Sequence, residues 1–213
     1  MNIGIIGAGN IAGAVGLLWA KAGHAVRFGT RHPETLGPLL ARAGGNASAG
    51  TAEDAARFGE TVFCSVPYGA WPDLAAAILP LVAGKVVIDS ANPYPERDGA
   101  FARDAIAAGE GAGAPVARLL PGVRLVRAFN SVYFKTLETE AHRTGDRVGI
   151  PLAGNDEDAL ALAAGLVRDA GFDPVLVGPL ARAREFDPGT PVYNTGMSGP
   201  DLARALGVPA GQR

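Results

Sequence analysis

A chain of 213 residues suits one domain with at most a small appendage. Its 48% hydrophobic and 19% charged content is that of a folded protein and excludes a wholly disordered one. A formal charge of −2 gives no general attraction to nucleic acid or anionic lipid, and a single cysteine, Cys64, excludes an intrachain disulfide and a multi-cysteine zinc site.

No apolar run approaches the roughly 18 residues that a membrane helix needs. The opening Met1-Asn2-Ile3-Gly4-Ile5-Ile6 lacks the basic stretch and cleavage site of a secretory leader, so a cytoplasmic protein without a membrane partner is expected. The 30 glycines and 16 prolines are spread along the chain and punctuate apolar segments, which favours tight connections in a compact fold.

The apolar run Asn2 to Ile6 is short enough for a strand buried on both faces. From Asn10 to Ala22 the spacing becomes helical, with Ile11, Val15, Leu18 and Ala22 on one stripe and Gly23 as a stop. Ala25 to Phe28 is a second strand, and Pro33 fits the first turn of a short helix reaching Ala43. A weak third strand over Asn46 to Ala49 precedes a helix from Thr51 to Phe58, in which Thr51 and Asp54 form a capping box variant. Thr61 to Val66 is a strong fourth strand, and the next helix runs from Ala70 to Leu79, with Pro80 helping to end it. Lys85 to Asp89 is the fifth strand.

Residues 94–122 predict a helix, a mobile break around Gly109-Glu110-Gly111-Ala112-Gly113, and a short helix ending before Pro121-Gly122. Leu125 to Phe129 and Val148 to Ala153 resume the strand pattern. Asn155 is expected to cap a helix whose first turn carries Asp156, Glu157 and Asp158, with Gly171 closing it. Pro174 to Val177 is the last strand, and a proline-rich tail follows Gly178. Strands alternating with helices imply an α/β, doubly wound, mostly parallel sheet with ligands beyond the carboxyl ends of the strands. Residues 1–187 form this Rossmann-type domain, and 188–213 a short C-terminal extension packed on it or projecting from it.

Candidate chemistry lies just after the strands. Gly7-Ala8-Gly9-Asn10-Ile11-Ala12 has the G-x-G-x-x-A form of the dinucleotide fingerprint. Gly7 permits the tight turn, Gly9 lets backbone approach a pyrophosphate, and Ala12 lets the helix lie close. The end of the second strand lacks the carboxylate that would hold the ribose hydroxyl of NAD. It offers Thr30-Arg31-His32 instead, and a guanidinium there favours the extra phosphate of NADP. The plainer alternative for Arg31 is a solvated loop charge.

Ser65-Val66-Pro67-Tyr68, Ser90-Ala91-Asn92-Pro93 and Ala128-Phe129-Asn130-Ser131 end three further strands at the edge where a nicotinamide would lie. Val66, Pro67, Ala91 and Asn92 are candidate ring contacts, although such turns also carry these residues for ordinary reasons. Asn130 and Ser131 are positioning candidates for a carboxamide or second substrate, and Phe129 is read as core. None of His24, His32 and His142 is well placed to protonate a carbonyl, and Lys135 is a weak candidate. That absence suggests hydride exchange with another carrier, which asks mainly for the positioning of two rings.

The pieces together resemble the NADPH-dependent F420 reductase-like proteins and the related cytoplasmic domain of the STEAP metalloreductases. The resemblance is carried by Ile5-Ile6-Gly7-Ala8-Gly9-Asn10-Ile11, Gly29-Thr30-Arg31, Ser65-Val66-Pro67, Val126 to Ser131, Pro151 to Asp156, Gly171 to Pro174 and Gly178 to Arg184. It implies NADP bound by Gly7, Ala8, Gly9, Asn10, Ile11, Thr30 and Arg31, with nicotinamide against Val66, Pro67, Ala91 and the Phe129-Asn130-Ser131 turn. F420 or a flavin would be the second carrier. The archaeal F420 enzymes have a histidine where this chain has Asn130, which matches the STEAP-like pattern.

The expected activity is thus NADP(H)-dependent hydride transfer to or from a small organic carrier, with no metal. The alternative is a non-catalytic NADP-binding redox sensor or partner protein. A homodimer is compatible with a domain of this size, though no residue argues for one.

Overall fold

The computed structural model describes residues 1–209. The strands in chain order are β1 (Asn2–Ile6), β2 (Ala25–Gly29), β3 (Ala47–Gly50), β4 (Thr61–Cys64), β5 (Val86–Asp89), β6 (Arg124–Arg127), β7 (Gly149–Gly154) and β8 (Asp173–Gly178). The helices are α1 (Asn10–Lys21), α2 (Gly37–Ala43), α3 (Ala52–Phe58), α4 (Trp71–Val82), α5 (Pro95–Ala108), α6 (Gly113–Leu119), α7 (Phe134–Thr139), α8 (Glu157–Asp169) and α9 (Gly199–Ala205), with 3₁₀ turns between some of them.

The eight strands form one sheet in the order β3-β2-β1-β4-β5-β6-β7-β8. All neighbours are parallel except β6 and β7, so the sheet is mostly parallel and the fold is a doubly wound Rossmann-type α/β architecture. The winding reverses between β1 and β4, and the crevice expected at such a switch point opens beyond Ile6 and Cys64, which pair there.

Strand alternation divides the core into two layers. Ile3, Ile5, Phe63, Ile88 and Val126 face α1 and α8, while Ile6, Val62, Cys64 and Val87 face α3, α4, α5 and α6. Trp19 of α1 is fully buried, donates its indole N–H to Leu166 O of α8 at 2.8 Å, and packs edge-on against Phe63 and Phe129. A third cluster joins β7 and β8 to the tail through Val175, Val177, Phe186, Val192, Leu202 and Leu206. The tail therefore has its own buried apolar face in contact with the sheet.

Several boundaries differ from the sequence reading. Pro80 lies inside α4, which continues to Val82. The carbonyl that a proline at 80 leaves without its N–H partner belongs to exposed Ala76, where water can serve it, while fully buried Val82 anchors the last turn. The cap of α8 is Asp156, whose carboxylate accepts the Ala159 amide at 2.7 Å. Asn155 instead accepts the Leu180 amide at 2.9 Å and fixes the segment after β8.

The strand read to Phe129 stops at Arg127, because Phe129 adopts φ 61°. The expected mobile break after α5 is pinned at Ala112, which donates to Asp187 at 2.7 Å and accepts the Tyr68 hydroxyl at 2.8 Å. The capping box of Thr51 and Asp54 is present at the start of α3.

Candidate active site

The glycine turn after β1 is shaped by its backbone. Gly7 has φ 110°, and a Cβ there would lie 2.2 Å from Ser65 O. Glycine is thus required twice, by conformation and by the close approach of β4. A Cβ on Gly9 would meet nothing within 4 Å, so the missing side chain leaves open space in front of α1. Gly9 is the N-cap of that helix, no side chain caps it, and its first turn carries no acidic residue. The N-terminal amides and the positive end of the helix dipole are therefore left for an anion.

These elements open onto a cleft of about 1270 Å³ that runs along the carboxyl ends of β1, β2, β4, β5 and β6. Of the residues singled out from sequence, Gly7, Ala8, Gly9, Asn10, Ile11, Thr30, Arg31, Val66, Pro67, Ala91, Asn92 and Asn130 all line it. Arg31 is exposed and makes no ion pair among the described residues. Ser131 does not line the cleft; it is buried, and its carbonyl accepts the Asn194 amide at 2.8 Å.

Behind the β5 and β6 turns lies a buried charge network. Arg127 is fully buried and donates to Asp89 at 2.6 Å, to Asp187 at 2.8 Å, to Asn92 Oδ1 at 3.2 Å and to Ala91 O. Burial pulls its pKa down, but the two carboxylates outweigh burial and push it up, so the guanidinium stays charged. Burial raises the Asp89 carboxyl while Arg127 pulls it the other way, and Trp71 and the Ala91 amide donate to it as well.

This network fixes the two asparagines differently from a simple ligand contact. Asn92 Nδ2 donates to Asn130 O at 2.7 Å and to the Tyr193 hydroxyl at 3.2 Å, so its amide is engaged inside the protein. Asn130 Nδ2 lies within 3.4 Å of Asn92 Oδ1, Phe186 O and Asp187 Oδ1. Its Oδ1 is buried with no partner among the described residues. Phe129 packs on Trp19 and Phe63, and this packing holds its left-handed backbone and aims the turn at the cleft.

The lining residues that were not singled out from sequence include Tyr94, Arg97, Tyr193 and Asn194. The Tyr94 and Tyr193 hydroxyls are 2.6 Å apart, and Arg97 lies 4.9 Å over the Tyr94 ring. Arg97 is held by Asp98 at 2.7 Å and donates to Asn92 O at 3.0 Å. Tyr193 lies 101 residues beyond Asn92, and nothing local in Pro191-Val192-Tyr193-Asn194 signals a site. The available signal for the network is a pair of charges in apolar strands, Asp89 at the end of the fifth and Arg127 within the run read from Leu125 to Phe129.

Comparison with known proteins agrees with this geometry. The family model described as "NADP oxidoreductase coenzyme F420-dependent" matches residues 2–93. The metalloreductase STEAP3 of Rattus norvegicus is 27% identical over 186 residues, covering 87% of this chain and 36% of that protein. The chain thus spans about a third of the length of the curated relative it matches.

Among solved structures, the hypothetical protein SMa0349 from Sinorhizobium meliloti superposes with TM-score 0.79 and 26% identity over 93% of this chain and 95% of that one. A candidate F420-dependent NADP-reductase from Arthrobacter sp. FB24 gives TM-score 0.72 and 23% identity over 85% and 86%, a likeness of fold. A sheet wound as in a Rossmann domain, an uncapped glycine turn and the matched segment point the same way: residues 2–93 are similar to the F420-dependent NADP oxidoreductases.

Proposed function

We propose that the protein is an NADP(H)-dependent oxidoreductase that passes a hydride between nicotinamide and a second organic carrier such as F420 or a flavin. The observation that carries this reading is the uncapped start of α1 behind Gly9, open to the cleft, with unpaired Arg31 beyond the neighbouring strand.

The residues fit the dinucleotide. The α1 amides would hold the pyrophosphate, and Arg31 with Thr30 would take the ribose phosphate. Val66, Pro67 and Ala91 offer flat, small walls for a ring, and the unpartnered Asn130 Oδ1 is an acceptor suited to the carboxamide N–H. Bound NADPH supplies the hydride. The cleft lining also includes Tyr133, Phe134 and Tyr193, aromatic groups suited to a second ring system. The match of residues 2–93 to the F420-dependent family model supports an electron carrier as that second partner.

The test is a pair of measurements on the full chain. NADPH and NADH are titrated by fluorescence, and turnover is followed with F420, FMN and FAD. NADPH should bind at least tenfold more tightly and at least one carrier should be reduced. Equal affinities would remove the NADP assignment, and tight NADPH binding without turnover would favour a non-catalytic sensor.

A further inference from the structure

Two-electron reduction of an organic acceptor to its neutral form consumes a proton as well as a hydride, and among the described residues no histidine lines the cleft. The tail supplies a different group. Asp187 is tied to Arg127, and Asn194 N to Ser131 O, so the segment between them is held at both ends, and its Tyr193 and Asn194 line the cleft. Tyr193 hangs from this strap. Its hydroxyl meets Asn92 Nδ2 at 3.2 Å and Tyr94 at 2.6 Å, beside the β5 turn that offers Ala91 to the ring.

The pair is graded in exposure. Tyr193 is half-buried, whereas Tyr94 is 40% exposed and touches water. The groups facing them are Asn92, Arg97, Asp98 and Asn194. Asp98 is bonded to Arg97, whose guanidinium lies over Tyr94 and eases a transient negative charge on the pair. Burial first, and then the Tyr94 hydroxyl, push the Tyr193 pKa up, so it carries its proton throughout the neutral range.

We propose that the Tyr193–Tyr94 hydroxyl pair is the general acid of this cleft, and that the second substrate is an organic acceptor protonated on a heteroatom as it takes the hydride. This rests on the NADP(H) reading above. Conjugated C=O and C=N ring systems are the class that fits. As the acceptor gains a hydride, the Tyr193 O–H bond breaks and a heteroatom–H bond forms on the acceptor. Tyr193 recovers its proton from Tyr94, and Tyr94 from water. Nicotinamide is oxidised, the acceptor is reduced by two electrons, and neither tyrosine changes its oxidation state.

The experiment compares wild type, Tyr193→Phe and Tyr94→Phe with NADPH and FMN, and with F420 where FMN is not reduced. Single turnovers and steady state are measured in H₂O and D₂O, and NADPH affinity is read separately by fluorescence. Tyr193→Phe should lower the single-turnover rate by about 10²-fold or more, the usual contribution of a positioned acid, with NADPH affinity within twofold of wild type. Tyr94→Phe should keep the first turnover, with the solvent isotope effect of transfer from Tyr193, and slow the steady state, where Tyr193 must regain its proton without Tyr94.

A Tyr193→Phe rate within threefold of wild type overturns the proposal, as does a loss matched by an equal loss of NADPH affinity. Failure of wild type to reduce any carrier overturns the function reading itself. That result is distinct from an active wild type that is indifferent to Tyr193.

Discussion

Two single positions separate binding from folding. Arg31 is exposed and unpaired among the described residues, so Arg31→Ala should leave the melting temperature within a degree or two. It should weaken NADPH by about 2 kcal/mol, roughly 30-fold, and leave NADH almost unchanged; parallel fluorescence titrations check this. Gly9 makes the complementary case. The space before it is open, so Gly9→Val should fold normally yet lose NADPH affinity by tenfold or more, because its side chain would occupy the phosphate cradle. Equal affinities for wild type and variant would show that the cradle is not where the phosphates sit.

Among the elements, close packing sets the tolerances. A Cβ at Gly4 of β1 would lie 2.1 Å from Ala55 O of α3, and backbone cannot swing aside as a side chain can. Gly4→Ala should therefore destabilise by about 1–3 kcal/mol through forced separation of α3 from the sheet, read by denaturant melts. The start of α5 depends on charge. Asp98 accepts the Tyr94 amide at 2.9 Å and pairs with Arg97 at 2.7 Å.

Burial pushes the Asp98 carboxyl up, but those bonds and the Gly69 amide outweigh it and hold the pKa below the ordinary value. A depressed folded pKa contributes stability above the unfolded pKa, and that contribution is lost as pH falls through the folded one. Wild type should thus melt above Asp98→Asn at pH 7. The gap should close as pH drops below about 4.

At the scale of the molecule, Arg127 joins β5, β6 and the tail. It contacts Asp89, Asn92 and Asp187, and all three depend on one guanidinium that is itself sealed from water. Arg127→Ala would leave Asp89 as a buried charge without its partner and should cost about 3–5 kcal/mol. It should also release the strap that carries Tyr193. Protease digestion followed by mass mapping should show cleavage within 187–198 rising before global unfolding.

Much of the architecture was legible because its signals are local. The apolar run Asn2 to Ile6, the glycine turn and the helical spacing after Asn10 each follow from neighbours a few residues apart. The parallel sheet follows from their alternation, and Arg31 was found by its offset from β2. Thr51 and Asp54 could be paired as a cap for the same reason.

What only tertiary structure decided involves partners distant in the chain. Tyr193 reaches Asn92, Arg127 is shared between Asp89 and Asp187, and Asn155 serves Leu180 and not its own helix. No periodicity encodes such pairs. Whether a polar side chain faces a ligand or is spent inside the protein depends on which other donors and acceptors the fold brings within about 3 Å of it.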